Sequence, residues 1–529
     1  MKKKVLFAAS LMLMVLTGCG ENGDREGKRE GSYNPDVELE GHLITEKPLD
    51  LDIHMHFRNM YHYDEEWPVA REAEKMTNIK LHNTASTTGT DSTEMFNMMM
   101  ISGKLPDIVG GNNRMDDFIR YGMEGVFIPL NDLIDDYAPN IKKFFDENPL
   151  VKRAITAPDG NIYFIPYVQD GRVSRGYWIR QDWLDKLGMK QPDTIDDLYN
   201  ILVAFRDKDP NGNGRADEVP MIFRHWHEMI RMTTLWGART AGTDTFVSFY
   251  KNDDDRVAHG WAEPEFKEGM KHIIKWYNEG LIDPEVFTRG GKTREVLFTA
   301  NQGGMTRDWM ASTARLNHVL DGVVKGFNLQ PMLPPVGING ERVEENQRAL
   351  LKPDGWAVTS GNKYEIETIK YFDFFFSEAG RRLANFGVEG LHYEMVDGKP
   401  IYKDEVLSGE KAINQQMWEA GAQIPIGFKQ DMEYEKQWTD EVAQKGVDMY
   451  DRDVKYFEEF IAPALTPSER QIYDSKWISI QTYMEESVQR WVLQGADVDK
   501  EWDNYIDTLN RLGLEEVTEV LQQAYDRSK

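Results

Sequence analysis

The chain has 529 residues and one cysteine, and its 62 Lys and Arg face 89 Asp and Glu for a net charge of −27. That charge excludes nucleic acid, whose phosphates demand Lys and Arg, and a lone cysteine excludes an intramolecular disulfide. The length exceeds one ordinary core, so two or more lobes are expected.

From the N-terminus, Lys2, Lys3 and Lys4 precede an apolar run from Val5 to Leu16, followed by Thr17, Gly18 and Cys19. A basic head, a short apolar run and small residues describe a signal peptide. The run is shorter than the ~20 residues of a membrane-spanning helix. Glu21 to Asn34 is polar and glycine-containing and is expected to be a flexible tether. No later run is long and apolar enough to span a membrane.

Leu49 to Phe57 alternates as a strand, with His54 and His56 on one face, a weak basis for a metal site without further carboxylates. A helix over Tyr61–Thr77, a strand over Asn78–His82, a helix over Ser92–Gly103 and a buried strand over Leu105–Gly111 follow. This alternation predicts α/β units around a parallel sheet. Ligands gather at the carboxyl ends of such strands, which points to the loops Arg58–Tyr63 and Gly110–Arg114. A further helix is expected from Phe127–Leu133, and a turn at Ala157–Pro166 leads into a strand. A strand over Gly176–Arg180 precedes a helix Trp183–Leu187 capped by Asp182. Pro166–Gly176 and Pro331–Gly340 are the expected crossovers between lobes. Amphipathic helices are expected at Ala262–Glu279 and Glu295–Ala300, then a strand from Gly303 to Trp309. A strand at Gly355–Val358 precedes a helix at Lys363–Phe376, and the tail Pro467–Arg527 is helical. Asp253, Asp254 and Asp255 suit a solvated loop.

Within this chain, Asp207 to Pro220 sets oxygen-bearing side chains at alternate positions between glycines. A calcium ion wants about 6–8 oxygens in a wrapped loop. Counted from Asp207, Gly212 takes the turn position and Glu218 the twelfth. Counted from Asp209, Gly214 takes the turn and Pro220 falls where a bidentate Glu belongs. An ordinary polar turn is the alternative, because Asn-Gly and Asp-Pro pairs form turns without metal. The strand-like Val219–Ile222 after the loop favours one structural calcium site over a paired sensor.

Three stretches together resemble the extracellular solute-binding lipoproteins of ABC sugar importers, in the large branch that includes alginate-oligosaccharide binders. They are Ala157–Tyr163, Trp178–Gly188 and Asp209–Glu218, joined by Phe298–Met305, Gly387–Tyr393 and the tail Trp502–Asp526. The end Leu16-Thr17-Gly18-Cys19 resembles a lipobox, which implies a lipidated Cys19 on the outer face of the membrane. The resemblance implies an α/β, two-lobed, periplasmic-binding-protein-like fold with the ligand cleft between lobes. The expected division is 1–18 signal peptide, 19–45 tether, 46–170 with 332–379 as the N-terminal lobe, and 171–331 with 380–529 as the C-terminal lobe. It also implies the Asp209 frame for calcium, with Asp209, Asn211, Asn213, the Arg215 carbonyl, Asp217 and Glu218 as ligands.

The implied function is capture of an oligosaccharide by hinge closure and delivery to a membrane permease, by a monomer without catalysis. Sugar-binding residues vary with the sugar, so position selects them. Trp309 is expected to stack on a ring with Arg307 and Asp308 hydrogen-bonding beside it, and Tyr167, Trp356, Trp418 and Trp226 are further candidates. Trp183 and Trp502 fall on amphipathic helices and suit the core. A surface polysaccharide hydrolase, or a binder of peptide or another polar solute on the same fold, are the alternatives. No nucleophile elbow, His-Glu-x-x-His or phosphate loop is present to support an enzyme.

Overall fold

The computed structural model describes residues 31–529, except 241–248, 346, 410 and 458. The expected signal peptide and lipidated Cys19 lie outside the described residues. Among those described, no helix is long and apolar enough to cross a membrane.

Two α/β units each have their own core. The first is built on a seven-stranded sheet. Leu49–Phe57 buries alternate residues and then a continuous run, as a strand does when both sheet faces are covered. It runs parallel to Ile79–Asn83 and Ile108–Gly111, as the sequence pattern predicts. The sheet is nonetheless mixed. Leu351–Val358 enters antiparallel between Ile108–Gly111 and Ile165–Val168, and Phe428–Lys429 extends the far edge. These strands arrive from far along the chain, so local alternation of helix and strand does not reveal them.

The second unit has a four-stranded sheet in the order Leu329–Met332, Arg175–Arg180, Gly303–Trp309, Val219–Ile222. Helix Pro264–Asn278 buries Phe266, Met270, Ile273 and Ile274 on one face against it, at the spacing expected. The helical tail forms three helices, Pro467–Gln494, Val498–Leu512 and Leu514–Ser528, whose Trp491, Trp502, Tyr505 and Leu509 join the same core. Helix Gln181–Leu187 has no side-chain cap. Asp182, expected to cap it, instead takes the Arg180 guanidinium through both oxygens, at 2.8 and 2.6 Å.

Among the described residues the chain crosses between units three times, and the crossings are tied together. Val173 bridges Gln347, and Arg348 donates its N–H to the Arg172 carbonyl. Val343–Glu344 pairs with Lys455–Tyr456, and Gln347 donates to the Phe457 carbonyl. The expected return to the second unit at residue 380 falls inside the first core: Leu383, Phe386, Tyr402, Met417, Phe428 and Tyr434 all pack there. The packing changes sides only near Ala443, Tyr450 and Val454, which join residues of the second sheet. The edge strand Phe428–Lys429 pairs with Tyr167 and Val168 and holds this stretch to the first sheet.

Candidate functional site

Where strands of the two sheets approach the first crossing, a cavity of about 460 Å³ opens. The first unit supplies Arg58, Tyr167, Gln169, Arg348, Lys352, Trp418, Gln430 and Trp438, and the second supplies Ser174, Trp309 and Met310. Trp309 ends the strand Gly303–Trp309, and its N–H donates to the Asp308 carboxylate at 2.7 Å. Tyr167 stacks on Phe428 with centroids 4.6 Å apart and donates its hydroxyl to Gln423 at 3.1 Å. Burial raises the Tyr167 hydroxyl well above its usual range, so it stays a neutral donor. Trp418 lies under the Arg58 guanidinium, 4.0 Å from the ring centroid.

The Arg58 loop is held in an unusual backbone. Arg58 and Asn59 take φ of 49° and 61°, a region that costs side-chain-bearing residues energy. The Arg58 N–H donates to Asn112, whose amide donates in turn to Asp354 at 2.8 Å, while the Asn113 N–H reaches the same carboxylate at 2.9 Å. Burial raises the Asp354 carboxyl, against the lowering effect of these donors. Among the described residues neither Arg58 nor Lys352 stands in an ion pair. Arg348, by contrast, is committed to Glu435 through two bonds of 2.7 and 2.8 Å.

Among the described residues, four buried polar atoms of the cavity-lining side chains have no hydrogen-bond partner: Gln169 Oε1, Gln430 Oε1, Trp438 Nε1 and Arg348 Nε. A buried polar atom without a partner costs roughly 1–3 kcal/mol, so a small rotation turning these two acceptors and two donors toward the cavity would let a hydroxyl-bearing molecule satisfy them.

Of the positions expected from sequence, Trp309, Tyr167 and Trp418 line this one cavity. The others do not reach it. Trp356 is 1 % exposed and stacks on Phe372 at 4.2 Å inside the first core. Trp226 packs beside Trp261 and Phe287 against the second core. Arg307 is 1 % exposed and pairs with Glu228 and Glu344. Asp308 is buried between Arg224 and Arg294, at 3.0 and 3.1 Å. A charged pair next to a half-buried Trp suggests a site in sequence, but here it is neutralised internally. Gln169, Lys352, Gln430 and Trp438 were not legible. Only Gln169, two residues past Tyr167, had a positional cue.

The polar loop lies at the far end of the platform strand. Val219, just after the loop, pairs with Gly303, the opposite end from Trp309, about 20 Å away at ~3.3 Å per residue. Asp209 accepts the N–H groups of Gly212, Asn213 and Gly214 at 2.9–3.0 Å. Asn211 and Asn213 donate to Asp217 at 3.0 Å. Glu218 Oε2 is buried without a partner, and burial, then Asp209 and Asp217, raises its carboxyl. Asp207 is turned away and held by Arg206 at 2.7 and 2.9 Å. No group of three or more His, Cys, Asp or Glu side chains is gathered for a metal among the described residues. Asp209, Asp217 and Glu218 are thus not drawn together here, although the residue types of the loop, carboxylates with amides between them, are those a hard cation takes. His54 and His56 are separate from any such set: His56 bonds Ser92 and Gly89, and burial first, then His56, lowers His54 to about 4.

Two α/β units on three tied crossings, with a polar and aromatic cavity between them, define a two-lobed binding protein. The chain belongs to the bacterial extracellular solute-binding proteins, whose family model matches residues 66–382. It is similar to the fructooligosaccharide ABC transporter substrate-binding protein FusA of Streptococcus pneumoniae, 28% identical over 99% of this chain and 98% of that protein. Among solved structures, the alginate-binding protein AlgQ2 without calcium ion has a TM-score of 0.76 and 52% identity, covering 92% of this chain and 100% of that one. An EF-hand mutant of FusA with fructo-nystose shares the fold, with a TM-score of 0.68 and 24% identity over 90% of this chain and 99% of that one.

Proposed function

We propose that the chain is the substrate-binding component of an ABC importer for an acidic oligosaccharide. The observation that carries this reading is the cavity wall: Trp309 from one lobe lines it together with Tyr167 and Trp418 from the other, on side chains that include four unpartnered polar atoms. Flat aromatic faces suit the apolar faces of sugar rings, and amide oxygens with an indole N–H suit hydroxyls. The Arg58 and Lys352 cations favour a carboxylate-bearing sugar over a neutral one. The similarity to a protein named for alginate binding supports this choice over the fructooligosaccharides of the more distant FusA.

In this reading the lobes close on the ligand because only the closed form makes both sets of contacts. The closed monomer then presents the sugar to a membrane permease, and Cys19 carries the lipid that tethers it outside the cell. Calcium would be held by Asp209, Asn211, Asn213, the Arg215 carbonyl, Asp217 and Glu218, supplying a structural charge that ties the loop to the sheet. The buried, unpartnered Glu218 oxygen supports that assignment. The relatives are binding proteins, which disfavours the hydrolase alternative.

The test is calorimetric titration of the soluble protein with uronate and neutral oligosaccharides of matched length, with chromatography of the recovered sugar. Tight binding of intact uronate chains is expected. Preference for the neutral series would overturn the acidic assignment, and cleaved sugar would overturn the transport reading.

A further inference from the structure

Trp309 lines the cavity, yet what lies beside it is an unbroken series of buried charges. Arg175 is its register partner on the adjacent antiparallel strand. The Arg175 guanidinium sits 4.3 Å from the Trp309 ring centroid. Arg175 is not among the cavity-lining residues, so it packs the ring from outside the cavity. It is 6 % exposed and pairs with Glu228, which is 2 % exposed. The second oxygen of Glu228 takes Arg307, and Arg307 reaches Glu344, with Nε to Oε2 at 3.2 Å. Glu344 lies on the short strand of the second crossing that pairs with Lys455–Tyr456.

We propose that Arg175 and Glu228 are positioning residues for ligand binding, fixing the plane of Trp309 so that its cavity face is ready for a sugar ring. The inference rests on the function proposed above. A guanidinium is planar and stacks well on an indole, but a long side chain is free to swing unless something holds its head. Glu228 does so, and it is fixed in turn by Arg307. Burial pushes the Glu228 carboxyl up, and Arg231, Arg307 and Arg175 more than offset this, so it remains ionised and able to hold both partners. Holding an aromatic platform in its bound orientation reduces the ordering cost of binding.

The experiment is a double-mutant cycle on oligosaccharide affinity, using Arg175→Met and Glu228→Gln in the native and the Trp309→Ala backgrounds. With Trp309 present, Arg175→Met should weaken binding about tenfold, within the coupling range of touching residues. In Trp309→Ala the same change should cost under about twofold. An equal loss in both backgrounds, or no loss, would overturn the proposal, because a purely structural role acts regardless of the ring. Should these variants fail to fold, Arg175→Lys keeps the charge but not the plane. With 5-fluorotryptophan incorporated, the Trp309 fluorine resonance, assigned through Trp309→Phe, should shift or broaden in Arg175→Lys. An unchanged line would overturn the proposal. That line is read without ligand, so a wild type that bound no oligosaccharide would remove the functional reading alone and leave the positioning still tested.

Discussion

Replacing Arg58 with glycine should separate stability from binding. Arg58 sits at φ 49°, where a residue with a Cβ costs roughly 1–2 kcal/mol and glycine nearly nothing. Against that relief, glycine's greater freedom in the unfolded chain costs about 0.5–1 kcal/mol. Loss of the guanidinium over Trp418, 4.0 Å from its centroid, costs about 0.5–1 kcal/mol more. The terms nearly cancel, so the melting temperature of Arg58→Gly should stay within about 3 °C of the wild type. Binding has no such compensation. A charged group bonded to a ligand carboxylate contributes about 1.5–3 kcal/mol, so affinity for a uronate oligosaccharide should fall roughly 10- to 100-fold. Differential scanning calorimetry and titration calorimetry on one preparation read both quantities. Arg58→Ala keeps the strained backbone without the contact and should melt below Arg58→Gly. Unchanged uronate affinity in Arg58→Gly would refute the role given to the guanidinium, and equal melting of the two variants would refute the strain.

Trp309→Ala should lower affinity while leaving the fold intact, whereas Trp356→Ala should cost about 3–5 kcal/mol of stability; thermal melts beside titrations tell the two apart. Calcium at about 100 times its dissociation constant should add ~2.7 kcal/mol to unfolding free energy, seen as a higher melting temperature that chelator reverses and Glu218→Gln abolishes. His259 is buried, its Nδ1 accepts the Trp261 N–H at 3.2 Å, and burial lowers its pKa to about 3. The unfolded chain takes up this proton near pH ~6.5 and the folded one does not. Stability is therefore full above that pH and is lost on acidification towards 3. His259→Asn, which keeps an acceptor, should flatten the fall in melting temperature between pH 7 and pH 4.

Elements with a strong local signal were legible in the sequence. Leu49–Phe57, Gly303–Trp309 and the helix Pro264–Asn278 stand within a residue or two of expectation, because alternation and the 3.6-residue period fix which face is buried. The third crossing was not legible. Residues 434–443, where the packing changes sides, carry neither proline nor glycine, and the two-residue strand Phe428–Lys429 is too short for a pattern. The cavity was half legible. Trp309, Tyr167 and Trp418 follow from an aromatic at a strand end or crossover. The buried glutamines come from a crossing and an edge strand that meet only in the folded chain. Arg307 and Asp308 misled for the opposite reason: charge in a sequence suggests solvent or ligand, and their partners Glu228, Glu344, Arg224 and Arg294 are far from them along the chain.

The threefold crossing bears on how the molecule is made. The first core gains Met417, Phe428 and Tyr434 late, and the second is unfinished until Leu521. Neither core is complete while a ribosome is still building the middle of the chain, so early, lobe-by-lobe folding of the kind common in multidomain proteins is delayed in both. Such a chain finishes its two cores only when nearly all of it has been synthesised. Unfinished cores are the condition in which a polypeptide can be threaded through a narrow secretion channel, and the connectivity of the fold keeps the chain in it.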